Sequence, residues 1–420
     1  MRTGAAFFIG FRYLLGRARE GGRYLQGAAA GIALSLVPIV VTLIVADGMI
    51  RGITDRYLEL GTGHLQIYNF NNPDFPERDI PLIDDLEGLR GVWAETHGLG
   101  IIVGRGGSRG ATIRAVENSF WEDEGSLRFM QTISGESRLG SGREVLLGQE
   151  LAESIGAEAG SALRIMTFRT SPDGRFIPRL SSFTVTGIVS SGYRELDSLW
   201  CIMSLENGRE ILPESASSYL VAKIDDPYRN AESMAIELYN RLGPGYSIFT
   251  WKSLQRSQYY SYESTRQMLL FIMALIILVA AVNVSSATSM LAIDRRRDIA
   301  VLKTGGAGVS FTTGIFLWSA FLTGVAGSVI GLSAGLLIGV NINSLLQGLE
   351  FILSSFTALF NGDPVEILSS GYYLETIPII INVPAIVVIG LFTVFCSVFA
   401  SWIPARQAGK LKPIEILQKH

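Results

Sequence analysis

The sequence predicts a membrane protein with four transmembrane α-helices and a large extracytoplasmic α+β domain between the first and second helices. Of its 420 residues, 48% are hydrophobic and 17% are charged, whereas about a quarter of the residues of a soluble protein are charged. The excess apolar residues form four uncharged stretches, each long enough to cross a hydrocarbon core of about 30 Å. These stretches are residues 24–46, 267–293, 304–349 and 376–405.

The positions of the basic residues predict the orientation. Arginines precede the first stretch, and further basic residues lie between the second and third stretches and after the fourth. Because Lys and Arg accumulate in cytoplasmic loops, we expect both termini to be cytoplasmic. The connection between the third and fourth stretches has acidic residues and no Lys or Arg, so we expect it outside. The first stretch is too long for the apolar region of a secretory signal.

These patterns divide the chain into nine segments. Residues 1–23 mix apolar side chains with arginines, which is typical either of an interfacial helix or of a solvated basic tail. The others are span one (24–46), the extracytoplasmic α+β domain (47–266), span two (267–293), a cytoplasmic segment (294–308), span three (309–341), an outer connection (342–375), span four (376–403) and a cytoplasmic tail (404–420).

The domain at 47–266 contains 22 basic and 30 acidic residues. This negative balance argues against nucleic acid as a partner. Its patterns of apolar residues and turn residues predict both strands and helices. The expected strands include 182–189 and 218–224, the expected helices include 144–155 and 231–242, and a further helix at 256–266 is expected to run into span two.

Glycines at helical spacing predict close helix packing in two spans. Small residues on one face let helix backbones approach where lipid provides no hydrophobic driving force. The contact lies either within one subunit or between subunits, and the pattern leaves both open. The residues are Gly27 and Gly31 in span one and Gly327, Gly331, Gly335 and Gly339 in span three.

Sequence motifs for catalysis and for nucleotide binding are absent. No G-x-x-x-x-G-K-[ST] segment occurs, and the glycines at 104, 106, 107 and 110 lack dinucleotide-binding spacing and are expected to form a hairpin turn. The chain has three histidines, no H-E-x-x-H and two cysteines, so we expect no metal site and no catalytic residues. Asp47, at the outer end of span one, either marks the membrane interface or has a functional role.

Two segments resemble motifs of the MacB/FtsX-like permease superfamily. Asp294–Ala307 is similar to its cytoplasmic coupling helix, although Asp298 replaces the usual Glu and Gly305 replaces a larger apolar residue. Pro404–Leu417 is similar to its C-terminal signature. Val145–Gly160 and Tyr372–Pro378 resemble segments of the lipoprotein-releasing (LolC/LolE type) branch. The leading alternative is a MacB-like mechanotransmission or efflux permease, which generally lacks the segment Tyr372–Pro378.

The resemblance implies a non-catalytic ABC transporter permease of the inner membrane. Its expected partners are two copies of an ABC ATPase, a second permease in a homodimer or heterodimer, lipoprotein cargo, membrane lipid and a periplasmic lipoprotein carrier. ATP and Mg²⁺ would be bound by the ATPase, and no cofactor by this chain. The residues expected to couple to the ATPase are Arg295, Arg296, Arg297, Asp298, Ile299, Val301, Leu302 and Lys303.

The resemblance also implies that a protruding loop of the outer domain docks the carrier. The stretch 167–180 lies where this loop is expected, and exposed aromatic side chains on a loop suit protein docking. A plain β-hairpin is the alternative interpretation. The candidate docking residues are Phe168, Pro172, Phe176 and Pro178.

Overall fold

The computed structural model describes residues 2–15, 22–71, 76–140, 142–170, 176–213, 216–358 and 377–411. Contacts divide the chain into two compact units. We call the first, which comprises the described parts of 1–48, 262–365 and 377–420, the membrane unit. The second, which includes the described parts of 49–261, is the sheet domain.

Four described helices are long and apolar enough to cross a membrane. They are α2 (Gly22–Arg56), α9 (Arg256–Asp294), α11 (Val309–Val340) and α13 (Val383–Lys410). Helix α9 is continuous from Arg256, which confirms the predicted helical entry into span two. Three further helices belong to the membrane unit, namely α1 (Arg2–Leu15), α10 (Arg296–Thr304) and α12 (Ile342–Ala358).

The fourth spanning helix begins at Val383, whereas the sequence placed the start of that span at 376. Residues 377–382 are not helical. Pro384 lies in the first turn of α13, where its missing N–H costs no helical hydrogen bond. The side chain of Asn382 accepts a hydrogen bond from the amide of Ala385 at 3.3 Å and caps the helix. This cap therefore fixes the boundary.

The glycine stripe of α11 packs against α2 within the same chain. A Cβ at Gly331 would lie 2.8 Å from the Cα of Ala33, and one at Gly335 would lie 2.7 Å from the Cβ of Val40. Gly327 and Gly339 are equally close to α2. The alternative that this stripe forms a subunit interface is wrong, because the glycine face is buried inside the subunit. At Gly27 and Gly31 of α2, by contrast, an added Cβ would meet no atom within 4 Å.

The described residues of the sheet domain form one ten-stranded mixed sheet. Nine strands follow the order β10-β1-β9-β2-β3-β8-β5-β7-β4, and β6 pairs with β2 and β7. The β3–β8 and β5–β7 pairs are parallel and the others are antiparallel. The strands are β1 (Leu65–Asn69), β2 (Leu89–Val103), β3 (Ser108–Val116), β4 (Gln131–Gly135), β5 (Glu144–Gly148), β6 (Ala162–Thr170), β7 (Phe176–Ser190), β8 (Trp200–Ser204), β9 (Ser217–Ile224) and β10 (Tyr246–Thr250).

Six α-helices in the described part of the domain accompany the sheet. They are α3 (Glu124–Phe129), α4 (Gln149–Ile155), α5 (Arg194–Asp197), α6 (Leu205–Ile211), α7 (Pro227–Leu242) and α8 (Trp251–Leu254). Apolar side chains of α4, α6, α7 and α8 pack with those of the strands in a hydrophobic core, which includes Ile113, Leu147, Leu151, Leu220 and Leu238. The strands expected at 182–189 and 218–224 and the helix expected at 231–242 are confirmed. The glycine-rich segment is also a hairpin turn, as predicted, with the amide of Gly104 bonded to the carbonyl of Gly107 at 2.9 Å.

The single helix predicted at 144–155 is wrong in its first half. Residues 144–148 form β5, which lies between β7 and β8, and only 149–155 form a helix. Val145, Leu146 and Leu147 are all buried. Consecutive buried apolar residues fit a strand covered on both faces as well as they fit a helix. Burial in the sheet decides between the two, and periodicity alone could not.

Candidate functional site

Helix α10, between the second and third spanning helices, has one side turned into the membrane unit. Ile299 is 1% exposed and packs in a cluster with Leu25, Leu291 and Phe316. The expectation that Ile299 contacts the ATPase is therefore corrected. Its side chain is already part of the hydrophobic core of this chain.

Three charged residues, the N-cap Arg295 and Asp298 and Lys303 of α10, also interact within the chain. The Nη1 of Arg295 lies 3.1 Å from Oδ2 of Asp298, and its guanidinium lies 5.2 Å from the centre of the Tyr13 ring. The Nζ of Lys303 donates to the carbonyl of Leu411 at 2.6 Å. These contacts hold α10 to α1 and to the end of α13. The carboxylate of Asp298 thus still pairs with a cation, Arg295, although Asp is shorter than the usual Glu.

The opposite side of α10 is exposed. Arg296 and Arg297 are exposed, Val301 is 68% exposed, and Leu302 is half-buried. We call Arg296, Arg297 and Val301 the exposed face of α10. The backbone conformation at Gly305 does not require a glycine, since its φ of −78° is accessible to other residues. The neighbouring Gly306 has a φ of +90° and makes the turn that ends the helix.

The predicted docking loop is the β-hairpin of β6 and β7. In its register Phe168 faces Pro178 and Thr170 faces Phe176. Phe168 is 39% exposed, and Ile177 and Leu180 are each 54% exposed. Pro172 lies outside the described residues, and Phe176 is described by its backbone alone. The sequence interpretation missed Ile177 and Leu180, although their apolar character on the returning strand was visible.

The hairpin is fixed to the end of α6 by a cluster around Glu210. The carboxylate Oε1 of Glu210 lies 2.5 Å from Nη2 of Arg143 and 2.8 Å from Nη2 of Arg179. Arg169 and Arg179 also donate to the carbonyl of Glu210, Arg169 at 2.8 Å. Thr167 Oγ1 donates to the carbonyl of Ile211 at 2.7 Å. Cationic and hydroxyl donors thus satisfy the last carbonyls of a helix, which carry its partial negative charge.

Two buried ion pairs lie in the sheet domain beside the end of α2. Glu95, on β2, accepts two hydrogen bonds from the guanidinium of Arg114, at 2.9 and 2.5 Å, and others from Trp93 and His97. This pairing holds the pKa of the Glu95 carboxyl well below its ordinary value, although complete burial opposes the shift. The second pair joins Lys223, on β9, to Glu59 at 2.7 Å.

His64 completes the second pair in its neutral form. Its Nδ1 accepts from the amide of Ile224 at 2.9 Å, so the proton is on Nε2, which donates to Glu59 Oε1 at 3.1 Å. Burial lowers the pKa of His64, with the contact to Glu59 acting in the opposite direction. Burial likewise lowers the pKa of Lys223, and the Glu59 carboxylate opposes that shift. The sequence interpretation assigned no role to any of these groups.

A polar cluster in the membrane unit joins α2, α9 and the residue that caps α13. Asp47, on α2, lies 3.2 Å from Nε of Arg266 on α9 and accepts from the side-chain amide of Asn382 at 3.4 Å. The side chain of Asn343, on α12, makes two hydrogen bonds with the backbone of Ile377. Asp47 therefore pairs with neighbouring helices. Among the described residues, no group of His, Cys, Asp and Glu could hold a metal ion.

Two protein-family models match the sequence of this chain. The MacB-like periplasmic core domain matches residues 27–235, which include α2 and most of the sheet domain. The FtsX-like permease C-terminal domain matches residues 270–413, which include α10 and the last spanning helices. Together the two matches cover most of the chain.

Individual relatives match over almost the full length. The lipoprotein-releasing system transmembrane protein LolC of Neisseria meningitidis serogroup B is 25% identical over 428 residues, covering 98% of each chain. LolC of Xylella fastidiosa (strain Temecula1) is 26% identical over 415 residues, again covering 98% of each chain. LolE of Haemophilus influenzae is 23% identical over 427 residues, covering 99% of each chain.

Four spanning helices with a MacB-like periplasmic core domain between the first and second define a permease of the ABC transporter type. The chain belongs to the MacB/FtsX-like permease superfamily, as a member of its lipoprotein-releasing LolC/LolE type. The resemblance found in the sequence motifs is thereby confirmed. The motif Tyr372–Pro378 lies mostly outside the described residues, and the C-terminal signature is described as far as residue 411.

Proposed function

We propose that the chain is the permease subunit of an ATP-driven complex that extracts lipoproteins from the inner membrane and passes them to a periplasmic carrier. The observation that carries this proposal is its similarity to lipoprotein-releasing permeases over 98% of its length. In this function both termini and α10 are cytoplasmic, and the sheet domain is periplasmic.

The exposed face of α10 is the proposed contact with the ATPase. Two arginines beside an apolar Val301 can place Val301 in a groove while the guanidinium groups pair with carboxylates at its rim. Arg295, Asp298, Ile299 and Lys303 support this face from behind, through the contacts within the membrane unit. ATP and Mg²⁺ are bound by the two ATPase subunits. A second permease, identical or paralogous, completes the complex.

The β6–β7 hairpin is the proposed contact with the carrier. Exposed apolar side chains on a hairpin provide anchors that a soluble partner can cover, and such anchors provide most of the binding energy in protein interfaces. Phe168, Ile177 and Leu180 supply this surface, and Pro178 lies opposite Phe168 in the register. The cluster around Glu210 keeps the hairpin in one position.

A MacB-like efflux or mechanotransmission permease is the alternative, and the match to the MacB-like periplasmic core domain favours it to that extent. The two functions differ in their partners. An efflux permease connects to an outer-membrane component, whereas a lipoprotein-releasing permease holds acylated cargo and meets a soluble carrier.

Purification of the complex in detergent, with mass spectrometry of the proteins bound to it, tests this proposal. We expect an ABC ATPase and acylated lipoproteins to co-purify, and we expect ATP to release the lipoproteins from nanodiscs to a periplasmic extract. A complex without ATP is the control. Co-purification of an outer-membrane component without acylated cargo would contradict the proposal and support efflux.

A further inference from the structure

The end of helix α2 is held by buried side chains from three separate elements of the sheet domain. After Arg56 the helix widens into one π-helical turn, Tyr57–Gly61, in which the amide of Thr62 bonds to the carbonyl of Tyr57 at 2.8 Å. The last carbonyls of a helix lack amide partners within it. Here the carbonyls of Leu58, Glu59 and Leu60 accept hydrogen bonds from side chains of the sheet domain instead.

Two of these donors are buried cations. Lys223 Nζ, on β9, donates to the carbonyls of Leu58 and Glu59, at 3.0 and 2.8 Å. Arg114 Nη1, on β3, donates to the carbonyl of Leu60. The side chains of both cations are at most 3% exposed. Ser126 Oγ, on α3, is 2.8 Å from the carbonyl of Glu59 and 2.6 Å from Oδ2 of Asp123, so its one proton is shared between two acceptors.

The charges in this group balance. Each cation has its own carboxylate, Glu95 for Arg114 and Glu59 for Lys223, and His64 is neutral. The group therefore keeps two cations buried without a net charge, and it directs both toward the partial negative charge at the end of the helix. We call Lys223, Arg114 and Ser126, together with the three carbonyls, the α2 clamp.

Further contacts hold the preceding turns of the same helix. Arg56 Nε donates to the carbonyl of Ser191 at 2.7 Å, and the hydroxyl of Tyr228 donates to Asp55 at 2.6 Å. The guanidinium of Arg51 lies 3.5 Å from the centre of the Tyr228 ring. Arg51, Asp55 and Arg56 all lie on a continuous helix that starts at Gly22 and includes the first spanning segment.

We propose that Lys223 and Arg114 are positioning residues for lipoprotein release, which act by fixing the end of the first spanning helix to the β3 and β9 strands so that movement of the helix moves the sheet domain. Helix α2 remains helical through Pro38, from the membrane unit to Arg56. A displacement of its membrane part is therefore delivered at its end, where charge-assisted hydrogen bonds, which are stronger than neutral ones, hold it. This inference rests on the proposed function.

The clamp is tested by removing its contacts while keeping the charge balance. Lys223→Met leaves Glu59 without its cationic partner, so the main variant is the double substitution Lys223→Met with Glu59→Gln, which removes one charge of each sign. Its matched control is Lys252→Met with Glu232→Gln, since Lys252 forms an exposed ion pair with Glu232 on the same domain. All are prepared as the full complex in nanodiscs with its ATPase and lipoprotein.

The measured quantity is lipoprotein released per ATP hydrolysed, with the thermal midpoint as the check on folding. We expect the double variant to hydrolyse ATP with a wild-type thermal midpoint and to release at least about fivefold less lipoprotein per ATP, the lower range of coupling between sites. The control Lys252→Met with Glu232→Gln and the conservative variant Lys223→Arg should keep the wild-type ratio. A double variant that folds and keeps that ratio would overturn the inference.

Two further outcomes are distinguishable. If the double variant does not fold, Ser126→Ala decides, because it removes one hydrogen bond and no charge; it should lower the ratio, and an unchanged ratio overturns the inference. If the wild-type complex itself releases no lipoprotein with ATP, the proposed function fails. In that case there is no lipoprotein release in which the clamp could act, and the inference fails together with the proposed function.

Discussion

Opposite sides of α10 should respond differently to substitution. Ile299→Ala removes a side chain that is 1% exposed, so we expect it to destabilise the chain by about 2 to 5 kcal/mol. Val301→Asp changes a side chain that is 68% exposed, and a substitution at such a position alters folding stability by about 0.5 kcal/mol or less. The two variants therefore separate folding from partner binding on one short helix.

If the exposed face of α10 binds the ATPase, Val301→Asp buries an unpaired carboxylate in the interface. We expect a loss of about 2 kcal/mol or more of binding free energy, which is about 30-fold in Kd. The assay is binding of the purified ATPase to the permease in nanodiscs, with Val301→Leu as the matched control. Wild-type ATPase affinity in Val301→Asp would refute this placement of the interface.

Four other predictions follow from the contacts described. Gly331→Val should lower the thermal midpoint of the full chain, since its side chain would overlap α2, whereas Gly27→Val, with open space around it, should not; equal midpoints would contradict this packing. Glu210→Ala should weaken carrier capture in a pull-down while ATPase binding stays normal, because the hairpin loses the carboxylate contact of Arg179 and keeps only its bonds to backbone carbonyls of α6; unchanged capture would show that the hairpin position does not depend on the Glu210 carboxylate. A cysteine at Ser217 should be labelled from the periplasm in whole cells and one at Gly308 should not, and the reverse pattern would invert the orientation. Since the pKa of Glu95 is lowered on folding, its stabilising effect is complete above its ordinary value of 4.5 and is lost as pH falls below it; the thermal midpoint of the wild type should thus fall more steeply below about pH 4.5 than that of Glu95→Gln, and parallel curves would contradict the assignment.

Much of the membrane architecture follows from the sequence. Long uncharged stretches predict the spanning helices because a helix must be long and apolar to remain in a hydrocarbon core. The coupling-helix motif also predicted the position of α10, which lies entirely within Asp294–Ala307. The start of α13 was harder to predict from the sequence, because the apolar run begins before the helix does. Only Pro384 and the Asn382 cap mark the first turn of the helix.

The sequence could not determine which side of α10 is exposed. Ile299 and Val301 are both β-branched apolar residues on a short helix with charges around them. The packing of Leu25, Leu291 and Phe316 makes Ile299 a core residue and leaves Val301 outside. The same holds for the α11 glycines, because their spacing predicts a close contact and the tertiary structure alone identifies α2 as the neighbour.

The sequence by itself determined the class of protein, the spans and the motifs that carry the family resemblance, because each of these depends on residues close together in the chain. The α2 clamp was decided by tertiary structure alone. Lys223 and Glu59 are 164 residues apart, and Arg114 and Leu60 are 54 apart. No local pattern connects them, and an isolated Lys or Arg in a strand usually predicts a solvated side chain. Only the folded sheet brings both cations to the end of one helix and excludes water from them.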